Sequence, residues 1–253
     1  MTAAVVANLR DLGGTSTIRS GRVRDGVVLR SAAPAHLPPD RADQLVAALG
    51  PVDYVDLRTD REVERDGGAE GLVERGWSWH RVPVHDAEPG LRETVSDRNL
   101  RTLPQYSVAA RAVVDLIRGC RPVLLACSVG KDRTGAVVAL LLHRFGVAAH
   151  VAAAEYEAGN AVLGAERALL PPRWRDNSSP LRAVRATEID AVLRADRMSP
   201  ADRAALDRAR PFLLTPEAPP GAARKTLPPT KGSRHDNLSS KPGPGHRQTR
   251  SEA

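Results

Sequence analysis

An α/β fold, with a mainly parallel central sheet flanked by helices, is what this sequence predicts. Three observations carry that expectation. Short apolar runs alternate with stretches of helical period through the body of the chain. One of those runs, Val123-Leu124-Leu125-Ala126, passes through a tight polar loop straight into a helical pattern beginning at Gly135. No internal repeat points to a solenoid or a propeller.

The elements follow in order. Asn8 to Gly14 is a polar turn segment, and Val27 to Arg30 reads as a short strand. Asp40 to Leu49 is a short amphipathic helix with Leu45, Val46 and Leu49 on one face. Val52 to Leu57 is a strand that runs into a polar cluster, Asp56, Arg58, Asp60, Arg61 and Glu62. Trp79 to Val84 alternates and reads as a strand closed by His85-Asp86. Asp86 to Leu103 is polar and loop-like. Pro104 to Arg118 is helical, with Val108, Ala112, Val113, Leu116 and Ile117 on one face. The strand before Cys127 and the helix from Gly135 come next, and Gly146 ends that helix. Ala148 to Ala158, Ala186 to Ala195 and Pro200 to Ala209 complete the set of expected helices.

Composition sets the limits of this body. Hydrophobic residues are 42% of the 253 but aromatics only 3%, so the core must be built from Ala, Val and Leu. The net charge of +7 looks at first like a nucleic-acid signal. Most of it sits at the C-terminal end. From Ala218 onward, Arg224, Lys225, Lys231, Arg234, Lys241, Arg247 and Arg250 face only Asp236 and Glu252. That stretch has Pro-Pro, Gly-Pro-Gly and Ser-Ser and almost no aliphatic residue, so it cannot offset its ordering entropy. The expected organisation is one domain over residues 1–214 and a disordered basic tail over 215–253. The tail suits weak contact with polyanions or no fixed partner. No specific nucleic-acid partner is expected.

No apolar run approaches the roughly 18–20 residues that cross a bilayer. The N-terminus lacks a basic region and meets charge too early for a signal peptide, which makes the cytoplasm the expected compartment. The two cysteines are no disulfide framework. If the run before Cys127 is extended, Cys120 and Cys127 lie about 20 Å apart, too far for a bridge. Cys120 therefore reads as structural. His80, His85, His143 and His150 lack metal-ligand spacing, and neither a metal nor another cofactor is expected.

The chemistry concentrates in Cys127-Ser128-Val129-Gly130-Lys131-Asp132-Arg133-Thr134. A strand, a tight loop and a helix start turn backbone N–H groups toward one point, which suits an anion. Cys127 gives a phosphate an attacking sulfur, and Arg133 a bidentate clamp. Ser128, Val129, Gly130 and Gly135 belong to the expected binding loop, where Gly130 permits a turn that other residues resist. Lys131 is the only lysine before Lys225, and it adds a compact charge that an arginine would not duplicate.

These residues resemble the signature of the cysteine-based protein tyrosine phosphatases. The match is closest to the bacterial family whose loop reads His-Cys-x-x-Gly-Lys-Asp-Arg-Thr-Gly, which includes tyrosine and dual-specificity enzymes, some with phosphoinositide activity. Asn8-Leu9-Arg10-Asp11-Leu12-Gly13-Gly14, Leu29-Arg30-Ser31-Ala32, Val55-Asp56-Leu57-Arg58 with Glu62, and Glu155-Tyr156 with Asn160 match further family blocks in order, covering about residues 7–160. Leu163 to Leu214 matches less well. Ala126 departs from the family, which has a histidine there that supports the loop and lowers the thiol pKa.

The resemblance implies a phosphomonoesterase of the tyrosine phosphatase fold, acting on phosphorylated proteins or phosphoinositides. Cys127 would form a cysteinyl-phosphate, Arg133 would hold it, and Thr134 would donate to the departing thiolate or cap the helix. Lys131 is linked to lipid-active members. Two acids are open as proton donor: Asp132 in the loop, or Asp86 after the strand at 79–84, each with a plainer alternative as an ion-pair partner or a turn former. Asp56, Arg58 and Glu62 read first as a structural ion-pair network, and Asn8 to Gly14 as structural. Two other function classes remain. One is a pseudophosphatase that binds phosphorylated partners without turnover, suggested by Ala126. The other is a rhodanese or arsenate reductase, which would not need the Lys-Asp-Arg-Thr run or would need more redox cysteines.

Overall fold

The structure is a computed structural model, and it describes residues 5–19, 21–85, 93–164, 166–175 and 182–215. Among them the strands are β1 (Arg10–Asp11), β2 (Arg22–Val23), β3 (Val28–Ala32), β4 (Asp53–Asp56), β5 (Ser78–Arg81), β6 (Val123–Cys127) and β7 (Leu214–Thr215). The helices are α1 (Pro39–Leu49), α2 (Asp60–Asp66), α3 (Glu70–Val73), α4 (Val95–Ile117), α5 (Asp132–Arg144), α6 (Ala149–Glu157), α7 (Pro172–Arg175), α8 (Asp190–Ala195) and α9 (Pro200–Leu213).

The main sheet has five strands in the order β1-β3-β6-β4-β5. All its pairs are parallel except β1 with β3, so the expected mainly parallel sheet is present. β6 is central. Its register sets Ala32 of β3 opposite Cys127 and Asp56 of β4 opposite Ala126. The carboxyl ends of three adjacent strands therefore open on one edge, where α/β sheets bind ligands.

The two-residue period of β6 divides the core. Val123, Leu125 and Cys127 join one buried cluster with the helices α4, α5, α6, α8 and α9. Leu124 and Ala126 join the other, with Tyr54, Leu45, Leu72 and Trp77. Helix α5 is buried from Arg133 to Leu142, as expected for a helix apolar on nearly all sides. Fully burying a leucine such as Leu140 or Leu141 contributes about 2 kcal/mol each. The helix that carries Arg133 is thus anchored along its length.

Several expected boundaries move. α4 starts at Val95, well before Pro104, because Thr94 and Asp97 form a capping box. Pro104 lies inside that helix rather than at its start. The expected helix over 186–195 is a 3₁₀ turn, Ala186–Glu188, followed by α8. α9 continues past Ala209 and through Pro211 to Leu213. Thr215, expected as the first tail residue, pairs with Arg22 in a small antiparallel sheet of β2 and β7. The chain divides into units after Glu217, and the second, Ala218–Ala253, lies outside the described residues. Both cysteines are free; Cys120 is exposed rather than packed in the core, and Cys127 is buried. No helix among the described residues is long and apolar enough to cross a membrane. Nor do the described residues hold a group of three His, Cys, Asp or Glu side chains placed for a metal ion.

Candidate active site

Cys127 is the last residue of β6 and Asp132 the first of α5, so the loop between them joins the sheet's central strand to its most buried helix. Among the described residues no protein atom accepts from the backbone N–H groups of Ser128 to Asp132. A helix N-terminus with unbonded N–H groups carries partial positive charge and attracts an anion. Gly130 has φ +71°, a conformation glycine adopts without strain.

Arg133 is 6% exposed, and Glu62 of α2 holds its guanidinium in a two-bond fork. Nη1 donates to Oε2 at 2.6 Å and Nη2 to Oε1 at 2.7 Å. The same Glu62 accepts from the Ser128 hydroxyl at 2.6 Å. It also closes the capping box of its own helix, accepting from the Thr59 backbone N–H at 2.9 Å. Burial alone would raise the Glu62 pKa. The Arg133 hydrogen bonds and charge outweigh that and hold it well below the usual carboxylate range. Arg133 further donates to the Val84 carbonyl at 3.3 Å. One carboxylate thereby fixes the plane of the guanidinium and one loop hydroxyl together.

An open cleft of about 580 Å³ adjoins this pair, lined by Thr59, Asp60, Arg61, Glu62, His85 and Arg133. Cys127 is 3% exposed and does not itself line the cleft. His85 is placed by its backbone N–H, which donates to Gln105 of α4 at 2.8 Å. Asp86, the other candidate acid, lies outside the described residues.

The remaining expected site residues divide. Val129 is buried in the apolar cluster that also holds Ala126, Leu124 and Tyr54. Lys131 is 1% exposed and turns away from the Glu62–Arg133 pair. Its ammonium donates to the Arg182 carbonyl and pairs with Asp132 at 3.0 Å. Asp132 also lies 4.0 Å from Arg182, so its carboxylate has two cations beside it at the helix N-terminus. Thr134 does not cap the helix: the N-cap is Lys131, without a side-chain cap bond. The Thr134 hydroxyl is buried with no partner among the described residues. Gly135 packs at the start of α5. Its N–H donates to the Lys131 carbonyl at 2.9 Å, and a Cβ there would stand 2.9 Å from the Tyr156 ring.

The model of the family described as "Tyrosine phosphatase family" matches residues 1–209. The chain belongs to the tyrosine phosphatase family. The match continues into the segment after Leu163, where the motif blocks are weaker, as far as residue 209. Among relatives, the triple specificity protein phosphatase PtpB of Mycobacterium tuberculosis is 32% identical over 190 residues. That alignment takes in 60% of this chain and 66% of PtpB, just under two thirds of its length. A protein of Cupriavidus necator, provisionally named a tyrosine-protein phosphatase, is 29% identical over 223 residues, 75% of this chain and 76% of that one. The crystal structure of P. aeruginosa TpbA superposes with a TM-score of 0.40 at 18% identity, covering 74% of this chain and 90% of that one. Membership in the tyrosine phosphatase family rests on the sequence match.

Three residues of this family member gain roles that their sequence neighbourhood did not signal. Glu62 belongs with Arg133 rather than with Asp56 and Arg58, which pair with each other at 2.7 Å. Asn8 and Arg30 both reach the loop through Gly130. The Thr59-x-x-Glu62 spacing announces a helix cap. It says nothing about a partner on α5 or in the loop before it.

Proposed function

We propose that this chain hydrolyses phosphomonoesters, phosphotyrosine in proteins first among them, through a cysteinyl-phosphate on Cys127. One observation supports this reading most. The loop offers the N–H groups of Ser128 to Asp132, which have no protein acceptor among the described residues, between the Cys127 sulfur at one end and an Arg133 guanidinium fixed by Glu62 at the other. The Cys127 thiolate attacks phosphorus; an S–P bond forms as the bond to the ester oxygen breaks. Asp132 or Asp86 gives that oxygen its proton. Water then attacks phosphorus and gives a proton back to that carboxylate as the S–P bond breaks; inorganic phosphate leaves, and Thr134 donates its hydroxyl hydrogen bond to the returning thiolate. Loop N–H groups and Arg133 stabilise the charge on the equatorial oxygens in both steps.

For Asp132 to be the donor it must release Lys131 and Arg182 as substrate enters. Phosphoserine, phosphothreonine and phosphoinositide esters are the further substrates, a range supported by the triple specificity in the name of the mycobacterial relative. The basic tail adds weak contact with polyanions. Retention of cysteine, clamp and hydroxyl speaks for turnover over mere phosphate binding.

Turnover of p-nitrophenyl phosphate, unchanged by EDTA and absent in Cys127→Ser, is the expected result; EDTA-sensitive or cysteine-independent hydrolysis would sink the reading. The proton donor is separable by leaving group. Asp132→Ala should cost little on p-nitrophenyl phosphate and roughly 10²–10⁴-fold on an alkyl phosphate, whose oxygen needs a proton. The same pattern in Asp86→Ala instead would move the role there.

A further inference from the structure

The carbonyl of Gly130 is held from two sides. Asn8 donates to it from Nδ2 at 2.6 Å and Arg30 from Nη2 at 2.5 Å, and both bonds are buried. Behind them stands a closed polar network. Glu155 accepts from Arg30 through its side chain and its backbone carbonyl, each at 3.2 Å. Arg10 donates to both Glu155 and the Asn8 side-chain oxygen. The Asn8 backbone N–H donates to Glu166 at 2.5 Å.

This arrangement is costly. Arg30 is fully buried, and desolvation, with the like charge of Arg10, pushes its guanidinium down to about 10. Two arginines at one carboxylate, one of them wholly out of water, are not what apolar packing alone selects. We propose that Asn8 and Arg30 are positioning residues that pin the Gly130–Lys131 peptide in the orientation that binds a tetrahedral oxyanion.

The reason is peptide planarity. A trans peptide points its C=O and its N–H in opposite directions. With the Gly130 oxygen held by Asn8 and Arg30, the Lys131 N–H is turned away from them. A flipped peptide would instead present carbonyl lone pairs to the anion and repel it. Gly130 fits this orientation because it lacks a side chain: a Cβ there would lie 2.2 Å from the Ser31 carbonyl oxygen. Close approach to β3 and a doubly held carbonyl together leave the loop one ordered conformation.

The inference rests on the loop being the phosphate site, so its test has an arm that needs no turnover. In the full chain, Asn8→Asp is isosteric and still accepts from Arg10, but its carboxylate cannot donate to Gly130. Arg30→Lys keeps the charge and shortens the reach. Binding of tungstate, a tetrahedral oxyanion, is measured by calorimetry beside kcat and KM for p-nitrophenyl phosphate. Each variant should bind tungstate roughly tenfold or more weakly, the scale of a hydrogen bond to a charged group, and KM should rise in step. A variant that merely destabilises the fold loses active fraction instead: stoichiometry and kcat fall while tungstate Kd and KM stay put. That result, or unchanged binding in a folded variant, overturns the proposal. Wild-type protein that binds tungstate without turning over p-nitrophenyl phosphate would defeat the phosphatase reading alone.

Discussion

Two carboxylates, Asp56 and Glu62, lie within one short stretch at the carboxyl end of β4, and the guanidinium that each one pairs with sets them apart. Asp56 and Arg58 are both fully buried and bonded at 2.7 Å. Their other partners are structural: Arg58 donates to the Gly67 carbonyl at 3.0 Å, and Trp79 of β5 donates to Asp56 at 3.1 Å. Burial alone would lower the Arg58 pKa, but the Asp56 bonds raise it above the usual arginine value. That pair closes on itself. Glu62, a few residues on, is capped locally by Thr59 but spends its carboxylate on Ser128 and Arg133, which follow the neighbouring strand β6. One pair holds β4 to its own neighbourhood, and the other holds the loop that carries Cys127. Similar chemistry at similar places in the sequence does different work, and the length of chain between the partners is what separates them.

The largest expected effect tests the closed pair. Asp56→Asn leaves the Arg58 guanidinium buried without its counter-charge, which should cost about 3–5 kcal/mol of stability. Urea unfolding reads that loss. Turnover per folded molecule should barely move, because neither residue lines the cleft. A variant of normal stability with crippled turnover would merge the two pairs into one machine and break the comparison.

Next in size is the clamp. Arg133→Lys keeps a charge near Glu62 but cannot span two phosphate oxygens. By analogy with removing a preorganised oxyanion donor, kcat should fall by an amount equal to about 2–4 kcal/mol of barrier. Stability should fall less than in Asp56→Asn, since an ammonium can still pair with Glu62. Near-normal kcat would take Arg133 out of the transition state and leave Glu62 as a structural partner, like Asp56.

How much of this was legible in the sequence follows the same divide. The parallel sheet, β6, the loop and α5 were readable because apolar period and glycine placement are local signals. Lys131 was recognised as unusual, yet its direction depended on Arg182, which no local pattern ties to it. The start of α4 lies earlier than its apolar face suggests, because the capping box of Thr94 and Asp97 opens the helix in a polar stretch with few apolar residues. Glu62 reads with its sequence neighbours, since nothing near it names a partner at the start of α5. Asn8 and Arg30 were visible as family blocks only. Their shared target, a backbone carbonyl at Gly130, leaves no mark on side-chain spacing.

The smallest expected effect sharpens the comparison through pH. Glu62 is the carboxylate whose folded pKa is depressed, with the Arg133 bonds overcoming burial. A depressed carboxylate contributes stability in full above its unfolded value, about 4.3 for glutamate, and loses it as pH falls toward the folded value. Glu62→Gln keeps the shape and one acceptor but cannot ionise. The melting temperature of wild type should therefore exceed that of Glu62→Gln by a constant margin between neutral pH and about pH 5. Below about pH 4 the margin should shrink, since wild type alone takes up the proton at this site. A margin that stays flat into strong acid would mean that the Arg133 charge does not hold Glu62 ionised. The guanidinium would then be positioned by the Leu57 and Val84 carbonyls, at 3.5 and 3.3 Å, rather than by the fork.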